Sequence, residues 1–291
     1  MDVLRGRPNL EQVGQLVQAI FADDGFRMWG LDIDTLRREL GTLPASYADV
    51  STWLVRRYGA TVGKSSADIW IDHTPLHVKF AATLSGIFPT AKFIHIVRDG
   101  RGVAASVLPL DWGPNTVERA ARWWTELLAF GLALESWGGT RVIRVLYEDL
   151  ILEPETTVRR ISAFVGIDYR PAMLKADGFV LPPDPGRQHA LIGSPPQPDR
   201  ARAWSKTLSP REIEIFESVA ADLLTYLGYE LQFGMGARPP STAEHLISAF
   251  WDRYRERLVN RIRWRRRRTK RLRLIEARRR GRLLARPVVG D

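Results

Sequence analysis

Apolar residues recur at helical spacing through 9–22, 31–40 and 46–58, so the chain is expected to open with three helices. Gly41 and Gly59 stand where the last two should end, because a glycine accepts the left-handed conformation of a helix C-cap. The run IWID (69–72) is apolar and β-branched and predicts a short strand, and Thr74-Pro75 then predict an N-cap and first helical residue for a helix to about Ile87. A second strand is predicted at KFIHIV (92–97), followed by a Gly-containing turn and another helix. A long helix from about Asn115 to Trp137 should stop at Gly138-Gly139, TRVIRVLY (140–147) reads as a third strand, and Pro154 opens a helix closed by Gly166. Strand alternating with helix is the βαβ rhythm of a parallel sheet flanked by helices, which makes the fold class α/β.

The C-terminal half carries other signals. Residues 177–200 are rich in Pro and Gly and predict a long surface loop. Ser209-Pro210-Arg211-Glu212 has capping-box spacing and predicts a helix to about Leu227. This organises the chain as an α/β domain over 1–235, helical to 65 with its βα core over 66–232, then a linker at 236–243 and a tail at 244–291. No internal repeat is visible.

Composition narrows the chemistry. With 291 residues, 45% hydrophobic and 26% charged, the chain can bury one sizeable core, or one core plus an appendage. It has no cysteine, which excludes disulfides, thiolate metal sites and a cysteine nucleophile together. Its five histidines read as scattered and predict no zinc site. No apolar run reaches the roughly 18 residues of a membrane span, and MDVLRGRPNLEQ lacks the apolar centre of a signal peptide, so a cytoplasmic location is expected.

The formal charge of +10 is unevenly placed: Asp252 to Asp291 hold 17 Lys+Arg against 4 Asp+Glu, or +13, leaving 26 against 29, or −3, for the rest. Basic partners therefore concern the tail alone. There Phe250, Tyr254, Leu258 and Ile262 recur every four residues ahead of RWRRRRTKRLR (263–273). A basic amphipathic helix suits an anionic membrane surface, and a helix docked on its own body is the plainer alternative. A nucleic-acid role ranks behind both, since no nucleic-acid-binding fold is recognisable.

In an open parallel sheet, ligands bind beyond the carboxyl ends of the strands, where helix N-termini converge. His73 follows IWID directly, and Arg98 follows FIHIV ahead of a helix containing Ser106. The first offers a base and the second an anion clamp. Each has a bland reading: a histidine beside an N-cap is more often a polar turn residue, and an RDG turn can be a connection in which Asp99 caps and Arg98 forms a structural ion pair.

Five stretches together resemble a known family: DHTPLH (72–77), GIFPTAKFIHIVRDGRGVAAS (86–106), DWGPNTVERAARWW (111–124), YEDLILEPETTVRRISAFVGI (147–167) and RARAWSKTLSPREI (200–213). Over roughly residues 9–232 the chain resembles the sulfotransferases that use 3′-phosphoadenosine 5′-phosphosulfate (PAPS), most closely their bacterial branch. The resemblance implies a P-loop-NTPase-like α/β fold and sulfuryl transfer from PAPS, without a metal, to a hydroxyl or amine of a small-molecule, glycan or lipid acceptor. It places Arg98 and Ser106 on the cofactor's 3′-phosphate, Arg202 and Trp204 as further cofactor contacts, and His73 as the catalytic base. The bacterial branch usually has Asp-Lys-Thr-Pro where this chain has Asp72-His73-Thr74-Pro75.

The family's opening strand and Gly-rich loop, of the Pro-Arg-Ser-Gly-Thr-Thr type, have no counterpart here, so the resemblance implies an N-terminally truncated domain that transfers sulfate poorly as written. A catalytically dead nucleotide-binding protein of the same descent is the alternative. The nearest substitute, GATVGKSS (59–66), has three residues between its glycines and no apolar strand before it, which argues against a phosphate loop.

Overall fold

The computed structural model describes residues 10–40, 46–175 and 194–279. Within these the chain forms two compact units, one of the N-terminal segment to Ala91 together with residues from Arg266 onward, the other of Lys92–Ala176 and Ser194–Arg265.

The first unit begins with α1 (Leu10–Ala22), α2 (Asp24–Arg27), α3 (Ile33–Leu40) and α4 (Tyr47–Thr61). Asp23 caps α2 by accepting from the Phe26 N–H at 2.8 Å, and Ser46 and Asp49 form a reciprocal capping box on α4. Phe21, Phe26, Leu36, Val50 and Leu54 make this unit's core, with Trp29 and Trp53 packed against it. The helix predicted to end at Gly59 continues through Thr61. The left-handed residue comes later, at Gly63 with φ 76°, so Gly59 sits inside the helix.

The strand predicted at 69–72 does not form. Ile69 and Ile71 are 49% and 73% exposed, and only Trp70 packs, edge-on to Phe88 at 5.5 Å. A short β-branched run becomes a strand only where a neighbour supplies ladder hydrogen bonds, and no described segment does so. The helix predicted after it opens as a 3₁₀ segment, Pro75–Phe80, before settling into α5 (Ala81–Ile87). Thr74 stands at its N-cap without a side-chain capping bond.

The second unit carries the sheet. Strands β1 (Phe93–Val97) and β2 (Val142–Leu146) pair in parallel from Phe93↔Val142 to Val97↔Leu146, joined through α6 (Gly100–Val107) and α7 (Val117–Gly138). Then come α8 (Tyr147–Leu152) and α9 (Pro154–Val165), closed by Gly166 at φ 92° as expected. The predicted loop at 177–200 lies outside the described residues up to 193. From Ser194 the chain runs irregularly into a 3₁₀ turn, Pro198–Ala201. Helices α10 (Trp204–Thr207) and α11 (Pro210–Tyr226) follow, the latter opened by the predicted capping box of Ser209 and Glu212.

After the linker, α12 (Thr242–Tyr254) passes through a π-helical turn, Arg255–Asn260, into α13 (Arg261–Arg279). Val97, Trp124, Leu128, Trp204, Phe216 and Leu224 are central to this unit's core, which lies between α6, α7 and α11 at the carboxyl end of β1.

Candidate functional site

Strand β1 ends at Val97, which is buried, and the next four residues divide two jobs between two arginines. Asp99 caps α6 by accepting from the Arg101 N–H at 2.9 Å. The same carboxylate takes both arms of the Arg101 guanidinium, at 3.0 and 2.8 Å, while Arg101 Nη1 reaches Glu217 on α11 at 2.6 Å. All three side chains are buried, and Glu217 also accepts the backbone N–H groups of Gln232 and Phe233. Buried charges persist only when paired and hydrogen-bonded, and this set meets that condition. Trp204 covers it, with its ring 3.9 Å from the Arg101 guanidinium carbon.

The bland reading of the RDG turn is thus half right. Asp99 does cap, but the structural ion pair belongs to Arg101.

Arg98 is left for other work. Its Nη1 donates to Ser106 Oγ at 3.1 Å, and that hydroxyl donates to the Gly102 carbonyl at 2.9 Å. Nη2 reaches the Arg200 carbonyl at 3.5 Å, and the guanidinium lies over the Tyr147 ring at 4.4 Å. Among the described residues no carboxylate forms an ion pair with it, and its Nε is buried without a hydrogen-bond partner. Burial pushes its pKa below the ordinary arginine value, offset only in part by Tyr147 and Glu148. A guanidinium does not deprotonate in a protein, so the cost falls on a charge in want of an anion.

Two local features hold this geometry. A Cβ on Gly102 would come within 3.0 Å of Arg98 Nε, so the glycine leaves the course of the side chain open. The Trp124 indole donates to the Arg98 carbonyl at 3.2 Å, and Glu148 joins the Asp99 N–H to the Tyr229 hydroxyl at 3.1 and 2.9 Å. A half-buried arginine just before a capped helix, bonded to an exposed serine in that helix's last turn, is a fitting seat for a phosphate group.

The other expected contacts stand apart from this pair. Trp204 is 5% exposed, a core residue lying over Arg101 rather than lining a surface, with its indole N–H unpartnered among the described residues. Arg202 is exposed and bonds to the equally exposed Glu230 at 3.3 Å. Sequence reasoning missed Tyr147 and the Arg200 carbonyl as neighbours of Arg98. The stretches YEDL and RARAW contain them, but nothing in their composition says which atoms turn toward Arg98.

His73 is exposed, in the first unit. Its neighbour Asp72 accepts from the Thr74 N–H at 2.9 Å and hydroxyl at 2.8 Å, and bonds to His77 Nδ1. Burial would raise the Asp72 carboxyl, but the bonds from Thr74 and His77 outweigh it and hold the pKa below the ordinary carboxylate value. His73 and His77 stand four residues apart in HTPLH, a spacing that a reading of scattered histidines passes over, and His77 is the one that gains the carboxylate. GATVGKSS begins inside α4, so it is not a strand-to-helix phosphate loop.

The second unit is thus an α/β unit with an arginine just past the carboxyl end of a parallel strand, where ligands of open α/β sheets bind, and with no ion pair to that arginine among the described residues. The chain belongs to the sulfotransferase family, whose model matches residues 19–171, more than half of its length. It is 26% identical over 182 residues to protein-tyrosine sulfotransferase A of Caenorhabditis elegans, covering 57% of this chain and 45% of that protein. The protein-tyrosine sulfotransferase of Drosophila melanogaster is 26% identical over 167 residues, 54% of this chain and 34% of the relative. The chain thus spans less than half the length of these curated relatives. Among solved structures, the sulfotransferase domain of the Synechococcus PCC 7002 olefin synthase aligns with a TM-score of 0.50 and 22% identity over 77% of this chain and 78% of that one, a likeness of fold.

Proposed function

We propose that the chain is a sulfuryl transferase whose donor is PAPS, and that Arg98 and Ser106 bind the donor's 3′-phosphate. The observation that carries this reading is the uncompensated charge of Arg98, with its unpartnered Nε and its bond to Ser106. PAPS, when bound, supplies an activated sulfuryl group on its 5′-phosphate. Arg98 fixes the adenosine end by charge-assisted bonds, Ser106 adds a hydroxyl donor, and the Asp99–Arg101–Glu217 set keeps the turn rigid so that the site is in place before binding.

His73 is the proposed base, taking the proton from an acceptor hydroxyl. The relatives' name, protein-tyrosine sulfotransferase, supports a phenolic hydroxyl on a peptide as the first acceptor to try, ahead of small-molecule, glycan or lipid hydroxyls and amines. A binding role without catalysis is the second reading, favoured by the pairing of Asp72 with His77 instead of His73.

Transfer of labelled sulfate from PAPS to a tyrosine-containing peptide, and to a panel of small hydroxyl and amine acceptors, tests the two. Turnover that is lost in His73→Gln with nucleotide binding intact supports the enzyme. Binding of the nucleotide without transfer to any acceptor supports the second reading.

A further inference from the structure

Helix α12 is fastened to the second unit by its polar side. Asp252, 7% exposed, accepts from the N–H and Nδ2 of Asn115 at 3.3 and 3.1 Å and pairs with Arg119 at 3.2 Å. Asn260, also 7% exposed, donates to Asn115 Oδ1 at 2.9 Å. His245 Nδ1 lies 3.0 Å from both oxygens of Glu118, and Arg255 donates to the Leu108 carbonyl at 3.3 Å.

The apolar side is turned outward. Leu246, Phe250, Trp251, Tyr254, Leu258 and Ile262 are between 41% and 66% exposed. A helix that served only to cover its own body would bury this face and leave Asp252 and Asn260 in water, since apolar burial is what ordinarily holds an amphipathic helix in place.

A change in helical winding keeps that face in line. A stripe repeating every four residues drifts by about 40° per step on an α-helix of 3.6 residues per turn. The π-turn at Arg255–Asn260, bonded i to i+5, takes more residues per turn and offsets the drift. Leu258 and Ile262 therefore stay exposed while Asn260 returns to the body. Along the stripe Phe250 stacks on Tyr254 at 6.3 Å, and Trp251 meets Tyr254 edge-on at 5.6 Å, giving a pre-assembled aromatic cluster.

Charge decides what covers this face. Arg253, Arg257, Arg261 and Arg263 are exposed and form no ion pair with any described carboxylate, and Glu256 is the sole acid between 253 and 263. A second copy of the chain would set these arginines against their own kind. A nucleic acid would use the arginines but has no place for Leu246, Leu258 and Ile262. A bilayer with anionic headgroups accommodates both, with aromatic and aliphatic side chains at the acyl boundary and guanidinium groups on lipid phosphates.

We propose that the outward face of α12 and the start of α13 is a docking surface for anionic membranes, independent of the proposed sulfuryl transfer. The helix lies in the plane of the interface: no described helix is long and apolar enough to cross a membrane.

Co-sedimentation of the full chain with vesicles of phosphatidylcholine, alone or mixed with phosphatidylserine, is the test. The full chain should bind the mixed vesicles at least about tenfold more tightly than the neutral ones and lose that binding as salt rises through physiological strength. Phe250→Ser combined with Trp251→Ser should lower binding to the mixed vesicles by about tenfold or more with an unchanged melting temperature, because both side chains are already exposed. Arg257→Glu with Arg261→Glu should remove the preference for anionic lipid. Undiminished binding by the double serine variant would overturn the proposal, as would a loss confined to the arginine variant and matched by competing RNA, which would mark a polyanion surface. A lipid-free dimer dissociated by the serine substitutions would also overturn it, in favour of a contact between copies.

Discussion

Arg101 embraces Asp99 with two parallel hydrogen bonds, Nε to Oδ1 at 3.0 Å and Nη2 to Oδ2 at 2.8 Å. The carboxylate nearest to Arg98 in sequence is thereby committed to its other neighbour. Removing Arg101 would leave Asp99 and Glu217 buried without a counter-charge. Breaking a buried pair in this way costs about 3–5 kcal/mol, so Arg101→Met should lower unfolding stability by that amount in urea titrations, while Glu217→Gln should cost less because Arg101 keeps its pair with Asp99 and the amide oxygen still accepts, though its NH2 faces a backbone N–H. A loss in Arg101→Met below about 1 kcal/mol would place it among ordinary surface pairs.

The start of α6 has no room for a side chain. A Cβ on Gly100 would lie 2.5 Å from the Phe216 ring and 2.6 Å from the Trp124 ring, and both rings are buried in the core. Gly100→Ala should therefore destabilise by about 1–3 kcal/mol through overpacking. It should also weaken nucleotide binding, because the helix carrying Ser106 moves while Arg98 stays anchored at the end of β1. Gly86→Ala, where a Cβ meets nothing within 4 Å, is the control and should leave binding unchanged. Calorimetric melting together with a binding isotherm on each variant reads both effects.

Acid should weaken the ion pairs that hold the linker. Glu214 bonds to Arg238 Nε at 2.8 Å and Arg211 Nη1 at 2.7 Å, and Arg211 also holds Glu244 at 2.8 and 2.7 Å and the carbonyls of Arg238 and Pro239 at 3.0 Å each. The Arg238 bond foremost, aided by that of Arg211, lowers the Glu214 carboxyl from 4.5 to about 2. Because the folded value lies below the unfolded one, this contribution is fully present above pH 4.5 and is lost as the pH falls from there through about 2. Stability measured across that window should fall, and Glu214→Gln should flatten the slope. An identical slope in both proteins would show that other carboxylates dominate.

How much of this the sequence shows depends on the range of each interaction. The end of β1 at Arg98 is legible, because an apolar run broken by Arg-Asp-Gly marks a strand handing over to a helix. The predicted capping box and the glycine stops rest on neighbours three or four residues apart, and Ser209 and Gly166 behave as expected. Glu217 is 116 residues from Arg101, so nothing local announces that it, and not Arg98, completes the buried pair. IWID has the residues of a strand but lacks the partner that would make it one. In the tail the apolar stripe is readable but the side it faces is not. That was settled by Asp252 and Asn260 finding Asn115, more than 130 residues away.

Titration calorimetry with 3′,5′-bisphosphoadenosine and with 5′-AMP tests most directly the claim that Arg98 is kept for a 3′-phosphate. The unmutated chain should bind the bisphosphate more tightly, and Arg98→Ala should weaken that binding by about 2 kcal/mol, roughly thirtyfold, with Ser106→Ala losing less and AMP affinity barely changed. Equal affinity of the unmutated chain for the bisphosphate and for 5′-AMP would contradict the assignment.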